Sequence, residues 1–265
     1  MRCIFCEADT SNSKSVEHII PESLGNQDHI LPIGVVCDKC NNYFAVKIER
    51  PLLESAYFTQ LRQRQGITNK KGRLPAIKAI FPSLNTSANI WFDGNRIHFA
   101  GDGEEHTKRI EEGIVSGKAT NLWLEHATEP ADKKAVSRFL AKVSVEGMAA
   151  RLSKLESWQD AFFQDEQITD LRRYARRGDK PNFWPFNERQ LYHEDHQHLD
   201  ENDIYQVIHE WDFLYTDKGE MYCVLCIFGR EFAFNIGGPD CSGYDTWLRE
   251  NDHASPLYPS GADPK

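Results

Sequence analysis

The sequence predicts an α+β fold, with a small cysteine-held module at the N-terminus and a larger domain of helices and an antiparallel meander behind it. Three observations carry this. Cys3, Cys6, Cys37 and Cys40 form two Cys-x2-Cys pairs that bracket one short segment. Residues 131–157 place Val136, Phe139, Leu140, Val143, Met148, Leu152 and Leu155 mostly at three- and four-residue steps, the spacing that gives a helix one apolar face. From Ile204 the pattern changes to three strands, 204–215, 220–228 and 231–236, joined by turns at Asp217-Lys218-Gly219 and Gly229-Arg230. With 265 residues, 40% hydrophobic and 11% aromatic, the chain has the apolar material for a real core, so disorder is not the default.

In chain order, residues 1–50 read as the cysteine-held module, 51–80 as a basic helical or linker segment, 81–254 as an α+β domain and 255–265 as a flexible tail. Asn89 to Ala100 reads as a hairpin, because Ile90 and Phe92 alternate against Ile97 and Phe99 across Asp93-Gly94. The helix of residues 131–157 follows. A second helix is expected from Asp165 to Arg177, ending at Gly178, with Arg172, Arg173, Arg176 and Arg177 near its C-terminus, where positive charge also complements the helix dipole. Cys223 and Cys226 repeat the Cys-x2-Cys spacing, but strand residues three apart point to opposite faces, so these two read as ordinary strand residues. His193, His196 and His198, with Glu194 and Asp195 and no neighbouring cysteine, read as a solvated loop.

Each N-terminal pair makes a tight knuckle whose two thiolates converge on one ion, and two knuckles complete a closed tetrahedral site of the structural type. Cys3, Cys6, Cys37 and Cys40 are therefore expected to hold one structural zinc ion. Between them lies Glu17-His18-Ile19-Ile20-Pro21, and Asn41 directly follows the last cysteine. An acid, a histidine and an amide inside one metal bracket suit phosphodiester hydrolysis. A neutral imidazole near pH 7 makes a nucleophile from water, and a carboxylate with an amide oxygen suits magnesium or manganese. Adjacent strand residues face opposite ways, so Glu17 and His18 reach one phosphate only where the strand ends or bends, and Pro21 favours an early end.

The bracketed segment resembles the HNH endonucleases. The resemblance rests on the two knuckles, on Glu17-His18-Ile19-Ile20-Pro21 with Ser23-Leu24-Gly25 after it, and on Val35-Val36-Cys37-Asp38-Lys39-Cys40-Asn41-Asn42 entering a helix. It covers residues 1–50 and implies a ββα-metal fold, with an acid–histidine pair on one strand and the last amide on the following helix. By position it implies that His18 deprotonates water while Glu17 and Asn41 hold one divalent cation, Mg2+ or Mn2+, on the scissile phosphate. The sequence departs from the family's pattern twice. Glu17 stands where aspartate is commoner, which changes reach and not ligand type. Pro32 stands where many HNH proteins carry an orienting Asn, leaving Asn26, Asp28 or His29 to take that place. Asn42 competes with Asn41, because helical neighbours point about 100° apart.

The net charge of −9 is unevenly spread: residues 1–80 carry a balance of +3 and the remainder −12. Lys47, Arg50, Arg62, Arg64, Lys70, Lys71, Arg73 and Lys78 face only Glu49 and Glu54 over residues 47–80, a strip suited to salt-dependent phosphate binding or else to a solvated helix face. DNA is the expected partner, with RNA not distinguished, and Lys47, Arg62, Arg64, Lys70, Lys71 and Arg73 are the candidate contacts. The start of the chain lacks a signal-peptide run and no later stretch is long and apolar enough to cross a bilayer, so a cytoplasmic protein without membrane contact is expected. Seven cysteines, four of them in metal spacing, fit reduced thiols. The resemblance thus implies a metal-dependent DNA endonuclease in a mobile-element or anti-phage defence setting. Site recognition, oligomer formation or a protein partner would fall to the C-terminal domain. An inactive zinc module that binds nucleic acid or protein keeps the same cysteines and separates from the nuclease at His18.

Overall fold

The computed structural model describes residues 1–69, 71–93, 96–200 and 203–258, and the chain divides into two compact units. The first joins residues 1–21, 25–50 and the chain from Lys133 onward; the second joins 22–24 and 51–132. In the first unit a bridge between Arg2 and Asp9 closes the opening turn, and β1 (Glu17–His18) pairs antiparallel with β2 (Ile30–Leu31), His18 opposite Ile30. Helix α1 (Asp38–Phe44) runs without a break through a wide π turn at Ala45–Glu49 into α2 (Arg50–Leu53). Pro51 accounts for the widening. It has no N–H to give the helix and its ring crowds the carbonyl four residues back, and the Arg50 N–H reaches the Ala45 carbonyl, five back, instead. Residues 1–50 thus carry the strand, strand, helix order that the resemblance implies.

The second unit holds α3 (Ala56–Arg64), β3 (Ile77–Phe81), β4 (Thr86–Asp93), β5 (Arg96–Gly101), α4 (Glu104–Val115) and β6 (Trp123–Leu124), the strands forming one antiparallel sheet in the order β5-β4-β3-β6. Alternation in β3 buries Ile77, Ala79 and Phe81, and Ala79, Phe81, Leu84, Ala88, Ile90 and Ile110 make the core. The hairpin has the register the alternation implies, Ile90 opposite Phe99 and Phe92 opposite Ile97; Gly94 of its expected turn lies outside the described residues.

The chain then returns to the first unit with α5 (Lys133–Leu152), α6 (Trp158–Gln164), α7 (Glu166–Arg177) and β7 (Phe186–Gln190). A small ribbon of β8 (His198–Asp200) and β9 (Asp203–Tyr205) precedes β10 (His209–Tyr215), β11 (Met221–Ile227), β12 (Arg230–Asn235) and α8 (Ser242–Glu250). The sheet order is β10-β11-β12-β7, so the expected meander is present and gains β7 on its far side. The expected strand 204–215 is divided between β9 and β10. Asp165 caps α7 by accepting from the Ile168 N–H at 3.1 Å, and Gly178, at φ +63°, ends it in the left-handed region.

Two expectations about this part are corrected. Helix α5 stops at Leu152 rather than 157, leaving Leu155 exposed, and it is buried at Val136, Ser137 and every position from Phe139 to Gly147 instead of along one face. It packs on α7, β12 and the π turn at once, and a Cβ on Gly147 would sit 2.9 Å from the Trp211 ring of β10. His198, expected in a solvated loop, is 1% exposed because Tyr192, His196 and Tyr205 pack their rings around it. Cys223 and Cys226 behave as read. Burial on β11 pushes both thiols up to about 12, which leaves them inert. Among the described residues no helix is long and apolar enough to cross a membrane.

His209 on β10 lies 5.2 Å, ring to ring, from His29 beside β2. Burial, and secondarily the charge of His29, holds His209 down to about 4, against a small opposing pull from Asp28. A lowered histidine pKa means that the unfolded chain takes up the proton first, so stability present above pH 6.5 falls as pH drops from 6.5 through 4. The loss should reach about 3 kcal/mol, and His209→Phe should remove that part of it. Urea midpoints of parent and variant at pH 7 and pH 4 measure the difference; equal pH dependence in both would contradict it.

Candidate active site and metal centre

The four cysteines meet because each pair closes on its own backbone. In the first, the Cys3 N–H donates to the Ala8 carbonyl and the Glu7 N–H to the Cys3 carbonyl, both at 2.9 Å, with Glu7 in the left-handed region at φ +61°. In the second, Cys37 is the N-cap of α1 and its Sγ accepts from the Cys40 N–H at 3.4 Å. The Cys37 N–H in turn donates to Cys3 Sγ at 3.3 Å, joining the two knuckles. All four sulfurs lie within 4.8 Å of one another, and Cys6 and Cys37 are 3.6 Å apart. A tetrahedron with Zn–S bonds of ~2.3 Å has edges of ~3.8 Å, so the cluster has the size of a closed zinc site. Its electrostatics ask for a cation. The hydrogen bond from Cys40 pulls the Cys3 thiol down to about 4 while that same contact pushes Cys40 well up, so the thiols cannot all ionise side by side unless positive charge sits among them.

Inside the bracket, β1 turns Glu17 inward, 6% exposed, and leaves His18 half-buried on the other side. Asn41 Nδ2 donates to the Val16 carbonyl at 2.9 Å, tying the first turn of α1 to the entry of β1, whereas Asn42 is exposed. Of the residues proposed to replace the orienting amide, Asn26 is the one that is fully buried. Its Nδ2 donates to the carbonyls of Ile20 and His29, and its Oδ1 accepts from the N–H groups of Asp28 and His29. It therefore locks the loop between β1 and β2, while Pro32 is exposed.

A group that the sequence reading does not contain sits behind Glu17. Lys142 of α5 is 0% exposed, and its Nζ lies 2.8 Å from Glu17 Oε1, 2.9 Å from Glu49 Oε1 and 2.9 Å from Glu146 Oε2. It also donates to the carbonyls of His18 at 2.8 Å and Ile19 at 3.4 Å. Burial pushes the Glu17 carboxyl up against the pull of Lys142, and pushes Glu146 well up too. With Glu146 held toward its neutral form, the Lys142 ammonium stands between the Glu17 and Glu49 carboxyl groups. Glu17 Oε2 is buried and accepts no hydrogen bond from the described residues, so the side chain retains one oxygen for a cation of the kind the resemblance assigns to it. The sequence signal for the cluster was a Lys–Glu pair four apart in a run, Phe139 to Gly147, with no other charged residue, and nothing local connects it to Glu17.

The basic strip is not a uniform surface. Arg62 departs from it: it lies in α3, is 6% exposed, and its pKa is lowered by burial, so it faces inward rather than toward phosphates. Arg64, Lys71 and Arg73 are exposed in the second unit, Lys47 is exposed in the first, and Lys70 lies outside the described residues. The second arginine cluster is partly structural. Arg172 Nη2 meets Glu7 Oε1 of the first knuckle at 2.9 Å, and the Arg2 and Arg172 guanidinium groups both lie over the Phe163 ring. At the end of α7, Tyr43 and Arg138 donate to the Arg176 carbonyl, satisfying an orphan acceptor of the helix terminus.

Residues 3–56 match a family model described as HNH endonuclease. No curated protein and no solved structure matches the chain. The matched residues include both knuckles, β1, β2, α1 and α2, the same ones on which the geometry above converges. The similarity to the HNH endonucleases is thus confined to residues 3–56.

Proposed function

We propose that this protein is a metal-dependent endonuclease that hydrolyses phosphodiester bonds in DNA. The observation that supports the reading best is the Asn41–Val16 hydrogen bond, because it draws the amide of α1 to the strand that carries Glu17 and His18 inside one four-cysteine bracket. In this reading the cysteines hold zinc and do no chemistry. His18 takes a proton from the attacking water, and Glu17 and Asn41 hold Mg2+ or Mn2+. When bound, that cation supplies positive charge to the scissile phosphate and the leaving oxygen. The burial of Asn26 and its four hydrogen bonds to the loop between β1 and β2 support giving it the part of the orienting amide, and the inactive zinc module separates from this reading at His18. A cytoplasmic location, a mobile-element or anti-phage setting, and a protein partner or second copy for the C-terminal residues rest on the sequence reading alone.

The test is cleavage of supercoiled plasmid, single-stranded DNA and RNA with magnesium, manganese or chelator. Plasmid should be cut with either metal and spared with chelator; preference for RNA would move the substrate, and no cleavage of any of them would defeat the reading. Binding is separable from chemistry. Lys71→Glu with Arg73→Glu should weaken DNA binding across sequences and flatten the plot of log affinity against log salt by about 2, since each lost phosphate contact removes ~0.9 from the slope. Filter binding between 50 and 200 mM salt, concentrations at which such losses are large, reads it. An unchanged slope would assign these residues to a solvated surface.

A further inference from the structure

Lys142 lies outside the family-matched segment, in the stretch of α5 from Phe139 to Gly147 that is buried at every position. An ammonium has three protons to give, and here five oxygens stand within 3.4 Å of it. Glu146, one helical turn away on α5, would by itself satisfy the charge. It does not account for the other contacts, which fall on the Glu17 carboxylate, on the carbonyls of His18 and Ile19, and on Glu49 of the π turn after α1. These are the two ends of the HNH segment's strand-to-helix arrangement. We propose that Lys142 is a positioning residue for cleavage: its ammonium clamps one oxygen of Glu17 and the backbone of His18, so that α5 sets the placement of the catalytic strand and of the remaining Glu17 oxygen.

The proposal rests on the nuclease reading and adds to it a residue that touches neither water nor phosphate. β1 and β2 are two residues each, too short to hold a register on their own ladder. A buried five-oxygen clamp supplies what the ladder lacks. Partners that orient metal-ligating side chains cost 10- to 100-fold in affinity or activity when lost.

The experiment uses the full chain as parent, Lys142→Met and Lys142→Arg, each checked for zinc content and cooperative melting. Two quantities are read: steady-state cleavage of plasmid, and Mn2+ binding followed by the electron paramagnetic resonance of the free ion. The expected order in both kcat and Mn2+ affinity is parent, then Arg, then Met, with Met at least tenfold below the parent and KM for plasmid within twofold throughout. Arginine keeps a cation and donors but cannot converge them on one point, so it should restore part of the loss and fall several-fold short of the parent. A folded, zinc-loaded Met or Arg variant that equals the parent in both quantities overturns the proposal, leaving Lys142 a charge partner of Glu146 alone. If Met does not fold, Arg decides by the same criterion. A loss confined to KM also overturns it. A parent that cuts none of the substrates overturns the nuclease reading and this proposal together, whereas an active parent with unaffected variants overturns this one only.

Discussion

His18→Ala should lose cleavage by about 10²- to 10⁴-fold while keeping zinc, fold and DNA affinity, since removal of a general base raises the barrier without removing a binding contact. The substitution leaves the Lys142 clamp in place. His18 is half-buried, and what it contributes to the clamp is its backbone carbonyl, which alanine retains. Asn41→Ala should act differently: loss of an oxygen ligand weakens the divalent cation, so part of the rate should return at high magnesium or manganese, and the same excess should not rescue His18→Ala. Asn42→Ala, at an exposed position one residue on, is the control. Plasmid nicking rates across a metal titration measure all three. Parental activity in His18→Ala, or dependence on Asn42 rather than Asn41, would remove these residues from their assigned roles.

The second large effect concerns zinc. Freshly purified, reduced protein should hold about one zinc per chain, and Cys37→Ser should release it and unfold the N-terminal segment, because closed sites contribute folding energy outright, about 10–16 kcal/mol in small zinc peptides near pH 7. Serine is an informative choice. Cys37 also caps α1 through its side chain, and serine is among the better N-cap residues, so the cap survives and the loss reports the metal. Ile4, Phe5, Val35, Val36 and Phe44, next to the cysteines in sequence, are all buried, with the Phe5 and Phe44 rings 4.3 Å apart, so unfolding there exposes apolar surface. Metal analysis and near-UV circular dichroism of parent and variant supply the check; a zinc-free parent with an intact fold would contradict the assignment.

What was legible in the sequence was local. Two Cys-x2-Cys pairs carry their own geometry, the Asp165 cap and Gly178 stop mark α7 from residues next to it, and the alternation of Ile90, Phe92, Ile97 and Phe99 fixes a hairpin register without outside help. The parts misread depend on distant partners. Nothing in Arg62's surroundings announces that α3 turns it inward, and the apolar steps of residues 131–157 suggest one buried face where the fold buries the helix all round. Asn26 could be one of three candidates from spacing alone, because its qualification is a set of four hydrogen bonds made by the folded loop. The Lys142 cluster was invisible for the same reason: its members are spread from Glu17 to Glu146 and no periodicity relates them.

If Lys142 positions the strand of Glu17 and His18 as proposed, recognition and working order come apart in this chain. A relative that preserved every residue of 3–56 and replaced Lys142 with an apolar residue would still be classified by its N-terminal signature, since that signature ends well before α5. Inside such a chain Glu17, Glu49 and Glu146 would converge on an empty place, and the strand bearing the histidine would lose two of the contacts that seat it. On that proposal, the motif residues alone do not decide whether such a chain cuts, and the position of Lys142, far downstream of the motif, has to be read with them.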